Sequence, residues 1–448
     1  MNALSSSWRN KCWSWLRAHP FTTLGGVLLL IVAIPFCRRH ESEWEQVYVR
    51  AAAHLWKGEE MYRMQDAYLY PPFMALTALP FLALPPLPSR LLWFAVNAMC
   101  LIALLRWSWR LAGGKRLEGA ESVSGSERLA ALLGCLCGIS YLENCLAHQQ
   151  TDIVLAAILA AGCLLLVRGR TLPAATAFGV AAACKCTALL WAPYLLWRGR
   201  PLAAAWVLFV ALGLNVLPNS IGAAPSGRSW IAEYASRFLM PLTASNHYVG
   251  TWASDPAYNQ SLAGLGQRWC TTNWKWTATD CIVGPRLPLV DPHTFRVCMY
   301  TLDLGLLMSV LWICGRPFHS IIDNSDGMRQ SLECGLVLML MLLLSPMSSK
   351  AHFGTLVLPG CCLARAALHS RARLLKVVLG TTVILGLICN KDPLGERLYT
   401  LSLWYGVVTW QTLLMVAGCS LAYHQMKARG STRLPCPALN GGSTNRAA

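Results

Sequence analysis

The sequence predicts an all-α polytopic membrane protein with about 12 transmembrane helices, and three observations carry that reading. Hydrophobic residues make up 55% of the 448 positions and charged residues only 13%, about half the charged share of an ordinary soluble domain. Most apolar runs last 15 to 22 residues, the length a helix needs to cross a roughly 30 Å hydrocarbon core. Basic residues gather in short loops between those runs, the pattern that orients membrane helices. The series of short alternating segments expected of a membrane β-barrel is not visible.

The expected spans are 21–37, 89–107, 128–143, 152–168, 172–184, 186–197, 202–220, 296–314, 332–345, 354–369, 375–390 and 400–422. Segment 1–20 reads as a cytoplasmic amino-terminal stretch, 21–422 as one membrane domain and 423–448 as a basic, disordered cytoplasmic tail. Arg9, Lys11 and Arg17 precede the first run, and no small-residue cleavage site follows it, so an uncleaved first span is expected. With the amino terminus inside, the cytoplasmic loops carry Arg110, Lys115 and Arg116, then Arg168 and Arg170, Arg198 and Arg200, and Arg316 and Arg329. Arg371, Arg373 and Lys376 continue the series, as do Lys427, Arg429 and Arg433. Arg38 and Arg39, on the outside of the first span, count against this orientation, and the later loops outweigh them. Residues 38–88, 144–151 and 221–295 then form the outer loops. The run "YPPFMALTALPFLALPP" at 70–86 is short and proline-rich, which fits a re-entrant or interfacial helix better than a crossing.

The net charge of +17 follows topology rather than nucleic-acid binding, because the basic residues lie in inter-span loops. Most of the 19 cysteines sit inside apolar runs, where Cys acts as a small hydrophobe. Cys135/Cys137 and Cys184/Cys186 have neither the spacing nor the company of a zinc site. Cys270 and Cys281 share a long polar loop, and a disulfide between them stays open. Gly-rich phosphate loops, HExxH helices and CxxC pairs are absent from the sequence, so an enzyme of the soluble nucleotide-binding kind is unsupported.

The stretch "HESEWEQVYVRAAAHLWKG" places Glu41, Glu43 and Glu45 just after the first span. Trp44, Val47, Tyr48, Ala51, Ala52 and Leu55 recur at helical spacing, so an amphipathic helix is expected over 44–56, closed by Gly58. Ser42 occupies an N-cap position and Glu45 lies three residues on, a capping-box pattern. Glu43 falls at the positive end of the helix dipole. The cluster is either a set of helix-start acids or holds a catalytic carboxylate. Lys185 lies between two short apolar runs, where an unpaired ammonium in lipid would cost about 2.5–3.5 kcal/mol. It faces a cavity or partner, or it snorkels to the headgroups.

"VYVRAAAHLWKGEEMYR" followed by "YLYPPFMALTALPFLALP" resembles the opening of glycosyltransferase family 87, the polyprenyl-phosphate-mannose-dependent α-mannosyltransferases. "LAHQQTDIVLAAILAAGCLLLVRGR", "AFGVAAACKCTALLWAPYLLWRGR", "YNQSLAGLGQR" and "LLLSPMSSKAHF" continue the series in order, over residues 40 to 365. The resemblance implies a GT-C architecture in a plasma membrane, with an exoplasmic active site and cytoplasmic termini. It further implies a polyprenyl-phosphate sugar donor, a lipid or glycan acceptor and inversion by a general base, without a metal or cofactor. That family carries an acid, usually Asp, just before the Val-Tyr of the first loop. Here Glu replaces it, and Glu43 corresponds to the base, with Glu45 as the neighbour that has a capping role available.

The resemblance also implies phosphate contacts at Lys185, Arg268 and His352, with a loop-folding role the alternative for Arg268 and an interfacial histidine the alternative for His352. Lys350 stands beside His352 where the family shows an aromatic residue. Gln150 and Asp152 belong to the short loop with His148 and Gln149, where the family has an Asn-Gly-Gln-like stretch. Asp152 orients a cation or sugar hydroxyl, or it is a helix-start acid with Thr151 as N-cap. Asn259 and Gln260 are assigned to a polar pocket, although Asn259-Gln260-Ser261 also matches a glycosylation sequon. Tyr70, with Pro71 and Pro72, shapes the loop over the site. Against this enzyme stands a transporter or flippase, which would favour midplane polar residues and inverted repeats. A membrane subunit without chemistry is the remaining alternative.

Overall fold

The computed structural model describes residues 20–38, 42–63, 66–115, 117, 124–241, 256–270, 290–315 and 327–428. Glu41 and Cys281 lie outside the described residues, as do the segments 1–19 and 429–448, so the Cys270–Cys281 pairing lies outside them as well. Every element among the described residues is helical.

In chain order, α1 is Pro20–Arg38, a π turn covers Trp44–Val49, α2 is Arg50–Lys57 and α3 is Pro72–Ala78. Next come α4 (Pro86–Leu111), α5 (Gly125–Leu136), α6 (Ile139–His148), α7 (Asp152–Val167) and α8 (Thr171–Cys184). A 3-10 turn Cys186–Leu190 leads into α9 (Trp191–Trp197), followed by α10 (Pro201–Val216), α11 (Trp230–Tyr234) and α12 (Leu262–Cys270). The remainder is α13 (Pro292–Cys314), α14 (Gly327–Leu343), a 3-10 turn Lys350–Leu356, α15 (Val357–His369), α16 (Arg373–Ile388), α17 (Lys391–Trp404) and α18 (Val407–Ala428).

Helix lies over each of the twelve expected stretches. Pro86–Leu111, Pro201–Ser220, Pro292–Cys314 and Lys350–His369 are each long and apolar enough to cross a membrane alone. Two further pairs reach that length only together: α5 with α6, bent by 48°, and α16 with α17, bent by 92°. The stretch 400–422 is therefore not one straight span. It is divided at Tyr405–Gly406, where Gly406 adopts a left-handed φ of 70° that ends the helical run. The proline-rich stretch at 70–86 is equally broken, into α3 and a 3-10 turn over Leu79–Ala83.

The core is centred on α14, buried on all sides from Ser331 to Leu343, and on α15. Small residues let α15 and α5 approach closely: a Cβ on Gly134 would stand 2.6 Å from the Cys361 Cα, and one on Gly360 2.7 Å from the Gly134 carbonyl. Such contacts replace the hydrophobic driving force that lipid cannot supply between helices. At one end of the bundle Arg198 pairs with Glu333, both buried, and the Tyr194 and Tyr423 hydroxyls donate to the same carboxylate at 3.0 and 2.7 Å.

The first loop folds as its pattern predicts. The Ser42 hydroxyl accepts from the Glu45 amide at 3.2 Å. Trp44, Tyr48, Ala51, Ala52 and Leu55 are buried, with Trp44 stacked on Trp93 at 3.6 Å between ring centroids. Gly58, at φ 67°, closes α2, and the Glu59 amide reaches back to the His54 carbonyl at 2.8 Å.

The arrangement of α7 and α8 positions the site. A three-residue turn with Gly169 at φ 74° joins them, so they run antiparallel. Gly162 admits the Phe178 ring between them, since a Cβ there would lie 2.5 Å from it. With 16 and 14 residues, the two helices bring the start of α7 and the end of α8 to the same level. Arg168 and Arg170 occupy the opposite end of the hairpin.

Candidate active site

Asp152 and Lys185 meet where that hairpin opens. The Lys185 ammonium donates to Asp152 Oδ1 at 3.0 Å, and His352 Nε2 stands 3.7 Å from the same oxygen. Asp152 is 5% exposed, and its Oδ2 accepts no hydrogen bond among the described residues. Lys185 is extended, at φ −153° and ψ 113°, because the chain must leave α8 and enter the 3-10 turn there. His352 Nδ1 accepts from the Ser349 amide at 3.1 Å, which leaves the proton on Nε2, facing Asp152. The Thr151 hydroxyl does not cap α7 as the sequence suggests; it donates to the Tyr48 hydroxyl at 3.2 Å. Burial of both groups explains the difference, because an inward-facing hydroxyl needs the nearest acceptor.

Asp152, Lys185, Thr187, Ser348, His352 and Thr355 line a small cavity, closed on its apolar side by Leu155, Met341 and Leu342, with a volume of about 10 Å³, the room of about one water molecule. Tyr70 packs beside Lys185: the Lys185 ammonium lies 5.7 Å from the Tyr70 ring centroid, and the Tyr48 ring packs 4.9 Å from that of Tyr70.

Glu43 stands next to this cluster. Its Oε2 accepts from Gln150 Nε2 at 2.7 Å, and Oε1 lies 3.6 Å from His148 Nδ1. Partial burial lifts the Glu43 carboxyl above the ordinary glutamate value. The Gln150 hydrogen bond opposes that rise, and the nearby Asp152 charge adds to it. The side chain keeps 39% exposure, so a substrate hydroxyl has access to it. Glu45 points elsewhere: Arg90 Nε donates to its Oε1 at 3.0 Å and the Ser42 hydroxyl to its Oε2 at 3.4 Å.

Arg268, Asn259 and Gln260 are brought together in a separate assembly. Arg268 Nε donates to the Trp404 carbonyl at 2.9 Å, and the same guanidinium donates to the Asn259 carbonyl. Asn259 Oδ1 accepts from the Ser348 amide at 3.1 Å, while Nδ2 donates to the Pro346 carbonyl at 2.9 Å. The Gln260 amide donates to the Ser348 carbonyl at 2.7 Å and its Nε2 to the Leu403 carbonyl at 2.8 Å. Asn259 and Gln260 brace the 346–349 segment, which in turn presents Lys350 and His352, and Arg268 holds the Asn259 carbonyl. Lys350 points away from Asp152, its ammonium 5.0 Å from the Tyr399 ring centroid.

Tyr48, Thr187 and Arg90 escaped the sequence reading. In the sequence Tyr48 reads as part of an apolar helical stripe. Arg90, a lone cation at the start of an apolar helix, was a signal available in the sequence.

No curated protein matches the chain. The model of glycosyltransferase family 87 matches residues 68–346, a span that takes in Tyr70, Gln150, Asp152, Lys185, Asn259, Gln260 and Arg268, with Glu43, Lys350 and His352 flanking it. Since the match covers more than half of the chain, and apolar helices of crossing length accompany it, the protein belongs to glycosyltransferase family 87 and is an integral membrane glycosyltransferase.

Proposed function

We propose that the protein transfers a hexose, mannose by its family resemblance, from a polyprenyl-phosphate donor to a lipid or glycan acceptor at the exoplasmic face of a plasma membrane. The observation that carries this reading is the pairing of a half-exposed, desolvated Glu43 with the adjoining Asp152–Lys185–His352 cavity.

Glu43 is the general base. The acceptor hydroxyl gives its proton to the Glu43 carboxylate while its oxygen forms a bond to the anomeric carbon. The bond from that carbon to the phosphate oxygen breaks, and the polyprenyl phosphate leaves with the electron pair. A single displacement without a covalent sugar intermediate inverts the anomeric centre. Gln150 holds the carboxylate in place, and Asp152, anchored by Lys185, is available to sugar hydroxyls through its unused Oδ2.

Depth supports a donor that arrives from the bilayer. The 14 residues of α8 rise about 21 Å, short of the roughly 30 Å hydrocarbon layer. Lys185 thus lies below the far interface when Arg170 sits at the near one. The basic loops at Arg168, Arg170, Arg198 and Arg200 favour the cytoplasm, which supports an exoplasmic site.

The test is transfer of labelled mannose from polyprenyl-phosphate-mannose into lipid and glycan acceptors, using membranes matched for expression. Wild type is expected to transfer, Glu43→Gln to lose transfer, and Glu45→Gln to retain it with reduced stability. Normal transfer by Glu43→Gln would move the base elsewhere. Absence of transfer by wild type across donors would reject the donor class.

A further inference from the structure

The turn between α6 and α7 holds a backbone conformation that its residue type does not favour. Gln149 has φ 56° and ψ 40°, and among the described residues Ala67 is the other non-glycine position with positive φ. A left-handed residue commonly ends a helix. Here the Gln149 and Gln150 amides reach back to the Leu146 and Cys145 carbonyls at 3.2 and 3.0 Å. Glycine fills such a position without steric cost, whereas a residue with a Cβ is strained there. Closing the turn therefore gives no reason for a glutamine.

The contacts of the side chain do. Gln149 is fully buried, and its Nε2 donates to the Phe36 carbonyl at 2.6 Å. Phe36 belongs to the last turn of α1, where carbonyls have no partner within the helix. The Gln149 carbonyl accepts from the Trp93 indole of α4 at 3.1 Å, and the Trp93 ring stacks on Trp44, the residue after Glu43. Gln149 is thus tied to the chain just before Glu43 and to the ring that packs on the residue just after it. The next three residues each meet a different part of the site: Gln150 holds Glu43, Thr151 reaches Tyr48 and Asp152 pairs with Lys185. The dihedrals of Gln149 set the direction of all three.

We propose that Gln149 is a positioning residue of the transferase: its buried amide, fastened to α1, holds the left-handed turn that presents Gln150 to Glu43 and Asp152 to Lys185. This rests on the reading of Glu43 as the general base. Gln149 does not line the cavity, and it acts on the base through Gln150. Without the bond to Phe36 the strained turn has no tether to α1, and any change of φ redirects Gln150 and Asp152 together. A misplacement of about 1 Å at a reacting group costs about 100-fold in rate.

The experiment measures transfer of labelled mannose from polyprenyl-phosphate-mannose across pH, with thermal unfolding of the same full-length samples. Wild type is compared with Gln149→Gly, Gln149→Asn, Gln150→Leu and the Gln149→Gly/Gln150→Leu double variant. Glycine and asparagine both tolerate the left-handed backbone, and neither carries an amide long enough to reach Phe36. Each is expected to fold and to transfer about 10- to 100-fold more slowly at neutral pH. The acid limb of the pH–rate profile should move upward, as in Gln150→Leu, because Glu43 loses a hydrogen bond that favours its charged form. His148 and Asp152, the other titratable groups facing Glu43, are unchanged in every variant. In the double variant the limb should move no further than in Gln150→Leu alone.

A residue that only closes the turn behaves differently. Gln149→Gly would then transfer at the wild-type rate, keep its acid limb and unfold at the same or a higher temperature, which overturns the inference. Slower transfer with an unmoved limb, or limb shifts that add in the double variant, overturns it as well. Gln149→Asn carries the comparison if Gln149→Gly is too unstable to assay. An inactive Glu43→Gln beside Gln149 variants with unmoved limbs overturns this inference alone. Normal transfer by Glu43→Gln, or none by wild type, overturns the underlying reading and the inference with it.

Discussion

Asp152 and Lys185, 33 residues apart in the chain, form a 3.0 Å ion pair whose second carboxylate oxygen accepts no hydrogen bond among the described residues. The pair holds the mouth of the α7–α8 hairpin and leaves one buried carboxylate oxygen without a hydrogen-bond partner among the described residues.

Breaking that pair from one side should be costly. Asp152→Asn would leave the Lys185 ammonium buried without its counterion, at about 3–5 kcal/mol. Combining it with Lys185→Met should recover most of the stability while transfer stays lost. A double-mutant cycle of thermal unfolding, with activity measured on the same samples, checks both outcomes. Additive losses of stability would remove the pair from the account.

The raised Glu43 carboxyl has two consequences with opposite appearance. Activity should fall as pH drops through a value above the ordinary 4.5, because the base becomes protonated. Gln150→Leu removes a hydrogen bond that favours the charged form, so the acid limb of the pH–rate profile should move upward. Stability runs the other way. A carboxyl with a raised folded-state value favours the fold at pH below the unfolded value, and that contribution is lost as pH rises through the folded one. Glu43→Gln should therefore be no less stable than wild type at neutral pH, although inactive. Thermal unfolding across pH, beside the rate profile, tests both.

The crossing of α5 and α15 depends on glycine. Gly134→Ala would set a Cβ 2.6 Å from the Cys361 backbone, which no rotamer change relieves. A loss of about 1–3 kcal/mol is expected. Unfolding in detergent measures it, and a loss near zero would mean that the helices separate without cost.

Local features were legible in the sequence because their causes are local. Apolar runs became helices, Ser42 capped the amide of Glu45, Gly58 closed α2 and the prolines of 70–86 broke that stretch into short turns. The family signal was legible for the same reason, as an ordered series of short segments. What each charged group meets was decided by tertiary structure. Arg268 looks like a phosphate ligand in the sequence, yet its guanidinium holds the carbonyls of Asn259 and Trp404, the latter 136 residues away. Thr151 sits at a cap position but donates to Tyr48, and Glu45 is held by an arginine 45 residues on. Charges and hydroxyls removed from water must find partners within about 3 Å, and which partners stand that close depends on how distant helices pack. Sequence determined that this chain is a helical membrane glycosyltransferase; packing determined which acid stays partly exposed and which lysine is paired with an aspartate.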